Sequence, residues 1–125
     1  MEKELIPYEQ ALDLKELGFD EECLAFYNST FQTPNELLYP QYGGEVGNWN
    51  VENHLISAPL YQQAFSWFRK NRLRFCITAR KFEKDYLYKV NILNFTEYND
   101  DYEYLTYEEA ELACLMKLIQ IIKNK

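Results

Sequence analysis

Histidine is nearly missing from this chain: His54 stands alone. With one imidazole and no cysteine pair at ligand spacing, a zinc site has no donor set. Cysteine is scarce as well. Cys23, Cys76 and Cys114 are odd in number and far apart, which argues against a disulfide framework. Free thiols suit a reducing compartment, so the expected location is cytoplasmic. No apolar run approaches the roughly 20 residues needed to cross a bilayer; the longest is Leu112 to Met116. The opening Met-Glu-Lys-Glu-Leu-Ile-Pro has no basic region followed by an apolar run, so no secretory signal is expected, and no membrane partner. Glycine is rare, yet three of the four fall in Gly43-Gly44-Glu45-Val46-Gly47. That segment lacks the Lys-Ser/Thr of a phosphate loop, and Glu45 would repel phosphate, so it reads as a turn.

Aromatic residues and charge are what the chain has in quantity. Eleven Tyr, eight Phe and two Trp are found among 125 residues. Each large aromatic buries on the order of 150–250 Å², so a few of them supply much of the core of one α+β domain spanning 1–125. Cys76 and Cys114 lie in expected regular elements and are read as buried thiols of that core. The formal charge is −7, but from Arg69 to Lys89 eight Lys/Arg face only Glu83 and Asp85, a window of net +6. A split of this kind bears on partners more than on fold.

Along the chain, Pro7–Leu17 reads as a helix with Tyr8, Ala11, Leu12, Leu14 and Leu17 on one face. Gly18 supplies a left-handed stop, and Phe19 folds back on the last turn. Cys23–Tyr27 is a short apolar run that fits strand or helical turn equally. The stretch 28–53 reads as a long irregular loop or as concealed short strands at Leu37-Leu38-Tyr39 and Trp49-Asn50-Val51. Ser57-Ala58-Pro59 opens a second helix, about 58–71, with Ser57 as cap and Tyr61, Ala64, Phe65 and Phe68 on one face. Then Leu73, Phe75, Ile77 and Ala79 alternate with Arg74, Cys76, Thr78 and Arg80. After about five residues Tyr86, Tyr88, Val90 and Ile92 alternate in the same way, giving a hairpin over about 73–81 and 86–93. Thr106 with Glu109 is a capping box for a last helix over 107–123, apolar around most of its circumference. Such a helix is either central in the fold or the contact of a homodimer, and we favour the first. The expected architecture is an antiparallel sheet, the hairpin widened by strands from the central segment, packed on helices 58–71 and 107–123. The helix at 7–17 adds a further layer.

No residue pattern carries recognisable chemistry. The cysteines would need His54 as base, and no local signature pairs them. Carboxylates are too abundant for a pair to stand out, so a small carboxylate enzyme is the weakest reading. No catalytic residue, metal or cofactor is expected. Two surfaces stand out as candidates. Arg74, Arg80, Lys81, Lys84 and Lys89 on the hairpin form a polyanion surface, which would make this a nucleic-acid-binding protein. Pairing of these cations with acids elsewhere, including Asp100 to Glu103, is the reading we favour over it. Tyr39, Tyr42, Trp49, Tyr102 and Tyr104 form a partner-binding set in the loop 28–53 and the acidic stretch 97–104. Acidic, Tyr-rich composition would also serve a mimic of nucleic acid.

Ala58-Pro59-Leu60-Tyr61-Gln62-Gln63-Ala64-Phe65-Ser66-Trp67-Phe68-Arg69 and Thr106-Tyr107-Glu108-Glu109-Ala110-Glu111-Leu112-Ala113 resemble the helix starts of a group of small uncharacterised proteins from gut Bacteroidetes genomes and their phages. The likeness covers roughly residues 57–123. Leu60 stands where Thr is common in that group, and Phe68 where Leu is common. The resemblance implies a mobile-element accessory protein and brings no activity with it. The expected function is therefore a non-enzymatic, cytoplasmic interaction protein that binds a macromolecule, most simply another protein.

Overall fold

Pro7 and Gly18 bracket the first helix, α1 (Tyr8–Glu16). In the computed structural model, which describes residues 4–40, 46–92 and 103–124, α1 is followed by strands β1 (Ala25–Asn28) and β2 (Leu55–Ala58) and helix α2 (Tyr61–Lys70). Strands β3 (Phe75–Phe82) and β4 (Asp85–Ile92) and helix α3 (Tyr107–Lys123) complete the order. The fold is α+β: the described residues form three helices and two separate antiparallel two-stranded sheets, β1–β2 and β3–β4. The chain divides into two compact units, Met1–Ala64 and Phe65–Lys125.

In the first unit α1 ends as its sequence dictates. Gly18 sits at φ +94°, its N–H donates to Lys15 O, and the Phe19 N–H reaches back to Leu14 O. These are the two bonds of a Schellman ending, and Phe19 and Leu14 are both buried where that motif makes its apolar contact. α1 packs against β2. Lys15 holds the turn before that strand, its ammonium donating to Glu52 O at 2.7 Å, Asn53 O at 3.2 Å and Leu55 O at 2.6 Å. The run at Cys23–Tyr27 becomes strand, with Ala25 opposite Ala58 and Asn28 opposite Leu55.

Among the described residues the segment 28–53 holds isolated bridges rather than the expected strands; β1 and β2 flank it and form a sheet of their own, separate from the hairpin. Leu38 bridges Phe26 on the free side of β1. Trp49–Val51 is a 3-10 turn rather than a strand. Its polar groups explain why: Asn50 Nδ2 donates to Phe19 O at 3.0 Å while its Oδ1 accepts from Ser57 N at 2.8 Å. Trp49 donates through its backbone N to Ser57 Oγ at 3.0 Å and through Nε1 to Cys23 O at 2.8 Å. Side chains here satisfy backbone groups that no ladder reaches, each of which would cost about 1–3 kcal/mol if left buried and bare. Ser57 is thus a buried strand residue and not a helix cap. α2 starts later, and Gln63 accepts from the Leu60 N–H at 3.4 Å, the reciprocal half of a capping box.

In the second unit the expected face of α2 is realised: Phe65 and Phe68 are buried, and Phe65 lies 5.1 Å from Phe75 between ring centroids. Tyr61 and Ala64, the earlier members of that face, are buried as well. α2 closes on the same Schellman pair of bonds, Arg72 N to Arg69 O and Leu73 N to Phe68 O, with Arg72 in place of glycine at φ +69°. β3 and β4 pair without interruption from Phe75↔Ile92 to Phe82↔Asp85. The loop is Glu83-Lys84, shorter than the five residues expected, because Glu83 accepts φ +57°. Positive φ at the first of two loop positions is the type II′ pattern that suits the twist of a hairpin. α3 begins on Thr106, whose Oγ1 accepts from the Glu109 N–H at 3.1 Å, and packs on β3 and β4. Its Ala110, Cys114, Leu115, Leu118, Ile119 and Ile121 are buried within this one chain, the central-helix alternative. No helix among the described residues is long and apolar enough to cross a membrane.

Candidate functional site

The hairpin has two faces, set by the register. Phe75, Ile77, Ala79 and Lys81 lie opposite Ile92, Val90, Tyr88 and Tyr86. Val90 and Ile92 are buried on this face, but burial fades toward the turn, and Ala79, Lys81 and Tyr86 are exposed. Tyr86, in phase with the buried Val90 and Ile92, is 52 % exposed. The other face carries Arg74, Cys76, Thr78, Arg80 and Phe82, following the alternation. Cys76 belongs to this exposed face, a correction to its expected burial; Cys23 and Cys114 are the buried thiols.

Beyond β4 the chain returns at Tyr104, which exchanges backbone bonds with Tyr88 at 2.9 and 2.7 Å. This places Glu103 beside the cations. Arg80 Nε donates to Glu103 Oε2 at 2.6 Å and its Nη2 to Oε1 at 2.8 Å, a bidentate pair. The same guanidinium lies 5.5 Å from the centre of the Phe82 ring. Its hydrogen bonds hold the Glu103 carboxyl below the ordinary glutamate range, and the nearby Lys89 ammonium adds to this. The pair is therefore intact above the usual carboxylate pKa and is lost as pH falls through the lowered value. Being exposed, it orders the surface more than it stabilises the fold.

Of the five expected polyanion contacts, Arg80 is thus engaged by an acid and Lys89 lies near the same acid. Arg74 is exposed and donates weakly to Arg69 O and Leu73 O at 3.3 and 3.4 Å. Lys81 and Lys84 are exposed beside the turn. Asp100 and Asp101, expected to share in this pairing, lie outside the described residues.

Of the aromatic partner set, Tyr39 and Trp49 belong to the first unit and Tyr104 to the second. Trp49 is committed to the first unit through Cys23 and a ring contact with Phe26 at 4.7 Å. Tyr104 is held in the bridge to Tyr88. Tyr39 is 42 % exposed and borders a small apolar cavity of about 70 Å³ with Leu5, Leu24 and Leu60. Tyr42 and Tyr102 lie outside the described residues.

Within the second unit a further set lines one groove. Phe82, Tyr86, Leu105 and Tyr107 border an open groove of about 760 Å³ between the end of the hairpin and the start of α3. All four are exposed, Leu105 by 74 %. Tyr88, edge-on to Tyr107 at 5.7 Å, forms part of its wall, and Glu83, Lys84, Asp85 and Glu108 ring it with mixed charge. One signal of this group was present in the alternation: Phe82 is an aromatic out of phase, on the face of Arg74 and Arg80. Leu105 and Tyr107 left no periodic trace because they sit at a loop-to-helix junction.

Burial pushes the Cys23 and Cys114 thiols up to about 12, the opposite of what a nucleophile needs. His54 is exposed in the turn before β2. Among the described residues no three His, Cys, Asp or Glu are grouped as metal ligands. Comparison of the chain with protein-family models, with curated proteins and with solved structures finds no significant match to any of them.

Proposed function

We propose that this chain is a non-catalytic interaction protein that binds another protein through the free end of its β3–β4 hairpin. One observation carries the reading. In an acidic chain of mean hydropathy −0.49, Phe82, Tyr86, Leu105 and Tyr107 are exposed around a single groove. Clustered exposed aromatics with a charged rim have the composition of a protein-binding patch, an apolar centre inside a polar border. The free state of all three cysteines suits a cytoplasmic setting. The resemblance to mobile-element proteins supplies the wider role, an accessory that acts by contact.

Nucleic acid is the second reading, supported by the exposure of Arg74, Lys81 and Lys84. It is weakened by the bond from Arg80 to Glu103 and by the net charge of −7. A photo-crosslinking residue at position 82 or 86, in place of Phe82 or Tyr86, separates the two in cells that express the chain. Position 9 on α1, where Glu9 is exposed, serves as control. Discrete protein adducts from the hairpin positions and none from the control are expected. Adducts removed by nuclease would move the assignment to nucleic acid, and absence of any position-dependent adduct would overturn both readings.

A further inference from the structure

We propose that the outer edge of β3 accepts an extended acidic peptide segment as an added strand. This rests on the protein-binding reading above and names the partner's chemistry. Among the described residues β3 is paired on one side only, with β4. Tyr88 uses its N–H and C=O for Tyr104, so in β4 the residues Tyr86, Tyr88, Val90 and Ile92 direct their backbone groups away from β3. Their register partners Phe75, Ile77, Ala79 and Lys81 therefore direct theirs to the opposite edge. No backbone partner meets that edge among the described residues. From Thr78 to Phe82 every residue is exposed, so the edge is open to solvent over that stretch.

Edge strands of this kind are normally protected by being short, by proline, by a bulge or by charge. β3 has eight residues, no proline and an unbroken register. Charge is its one protection, and it has a single sign: from Arg74 to Phe82 there are Arg74, Arg80 and Lys81 and no acid. Like charge opposes pairing of β3 with β3 of a second copy, whereas a segment with carboxylates at its ends would meet Arg74 at one end and Lys81 at the other. Between them Cys76, Ile77, Thr78 and Ala79 are small or β-branched and uncharged, which suits β-branched side chains on the added strand. Arg80 is turned to Glu103, so Lys81 is the main electrostatic contact near the turn. Backbone bonds supply affinity and the end charges supply orientation.

The probe is a set of fluorescein-labelled peptides of the length of β3, alternating Val and Thr between acidic ends, followed by fluorescence anisotropy. Three controls accompany it: the same peptides with lysine ends, the same peptides N-methylated on alternate backbone amides, and a labelled single-stranded oligonucleotide. Ala79→Pro removes an outward N–H without touching the ladder to β4, a place where an edge strand tolerates proline. N-methylation and Ala79→Pro are each expected to weaken binding by about tenfold or more. Lys81→Gln is expected to weaken it by about threefold and to flatten its salt dependence. The N-methylated peptides test the unaltered protein, so a folding defect in the proline variant does not decide the matter. Equal binding of N-methylated or lysine-ended peptides, tighter binding of the oligonucleotide, or no peptide binding would each overturn strand addition. Loss of strand addition with hairpin cross-links intact leaves the protein-binding reading standing; loss of both removes both.

Discussion

Cys76 and Cys114 show how far a single side chain's fate can be argued from its neighbours. Both lie in regular elements, but Cys76 shares the phase of Arg74 and Arg80 and is exposed, whereas Cys114 is buried among the apolar residues of α3. The alternation in the sequence already separates them; membership of an element does not. Burial raises the Cys23 and Cys114 thiols to about 12, so neither forms thiolate near neutrality. Iodoacetamide at neutral pH should therefore place one label on the native protein, at Cys76, read by mass spectrometry. Cys76→Ser should abolish it, and the other two should react only in denaturant. Native labelling of Cys23 or Cys114 at a comparable rate would contradict the packing described. Trp49 teaches the same lesson in reverse. An aromatic in a polar loop looks like a partner contact, but its indole N–H closes on Cys23 O, a bond to a residue too distant in sequence to be foreseen.

Two helices end on the same motif with different residues in the left-handed position. Gly18 at the end of α1 has no Cβ to strain, whereas Arg72 at the end of α2 must hold φ +69°. Arg72→Gly should raise stability by up to about 1 kcal/mol and Gly18→Ala lower it by about as much or more, both measurable as urea midpoints at constant slope. A midpoint unmoved or lowered in Arg72→Gly would mean that the Arg72 side chain makes a contact worth more than the strain. Elements of this local kind were legible. The glycine stop, the i, i+3, i+4, i+7 face of α2, the period-two hairpin and the Thr106 cap are each written within a few residues. β1 and β2 were not legible, because four residues cannot carry a readable period and each needs a partner from the other. Ser57-Ala58-Pro59 fits a helix start locally, and the demand of Trp49 and Asn50 for Ser57 overrides that preference.

For the molecule as a whole, the distribution of charge was plain in the sequence, but its neutralisation at Glu103 depends on the Tyr88–Tyr104 bridge. The aromatic groove was legible only in Phe82. The wide apolar circumference of α3 left open a homodimer through 107–123, yet its large aliphatic residues are mostly buried within the single chain. Met116, 51 % exposed, and Tyr107 are its exposed large apolar side chains, and Leu112 and Ile122 are half-buried. A homodimer through α3 would have to be built on these side chains. Sedimentation equilibrium should return the mass of one chain at micromolar concentration. A dimer that Met116→Glu dissociates would show that α3 has a second face.

The two sheets also differ in when they can form. β3 and β4 meet across Glu83-Lys84 alone, a closure that needs microseconds. β1 and β2 cannot pair until the whole stretch from Ser29 to His54 has been looped out, and the entropy of that closure must be met before any ladder bond repays it. The Lys15 clasp on Glu52, Asn53 and Leu55 fastens the far end of the same loop. The first sheet and its clasp are therefore expected to form after the hairpin proposed to receive partners.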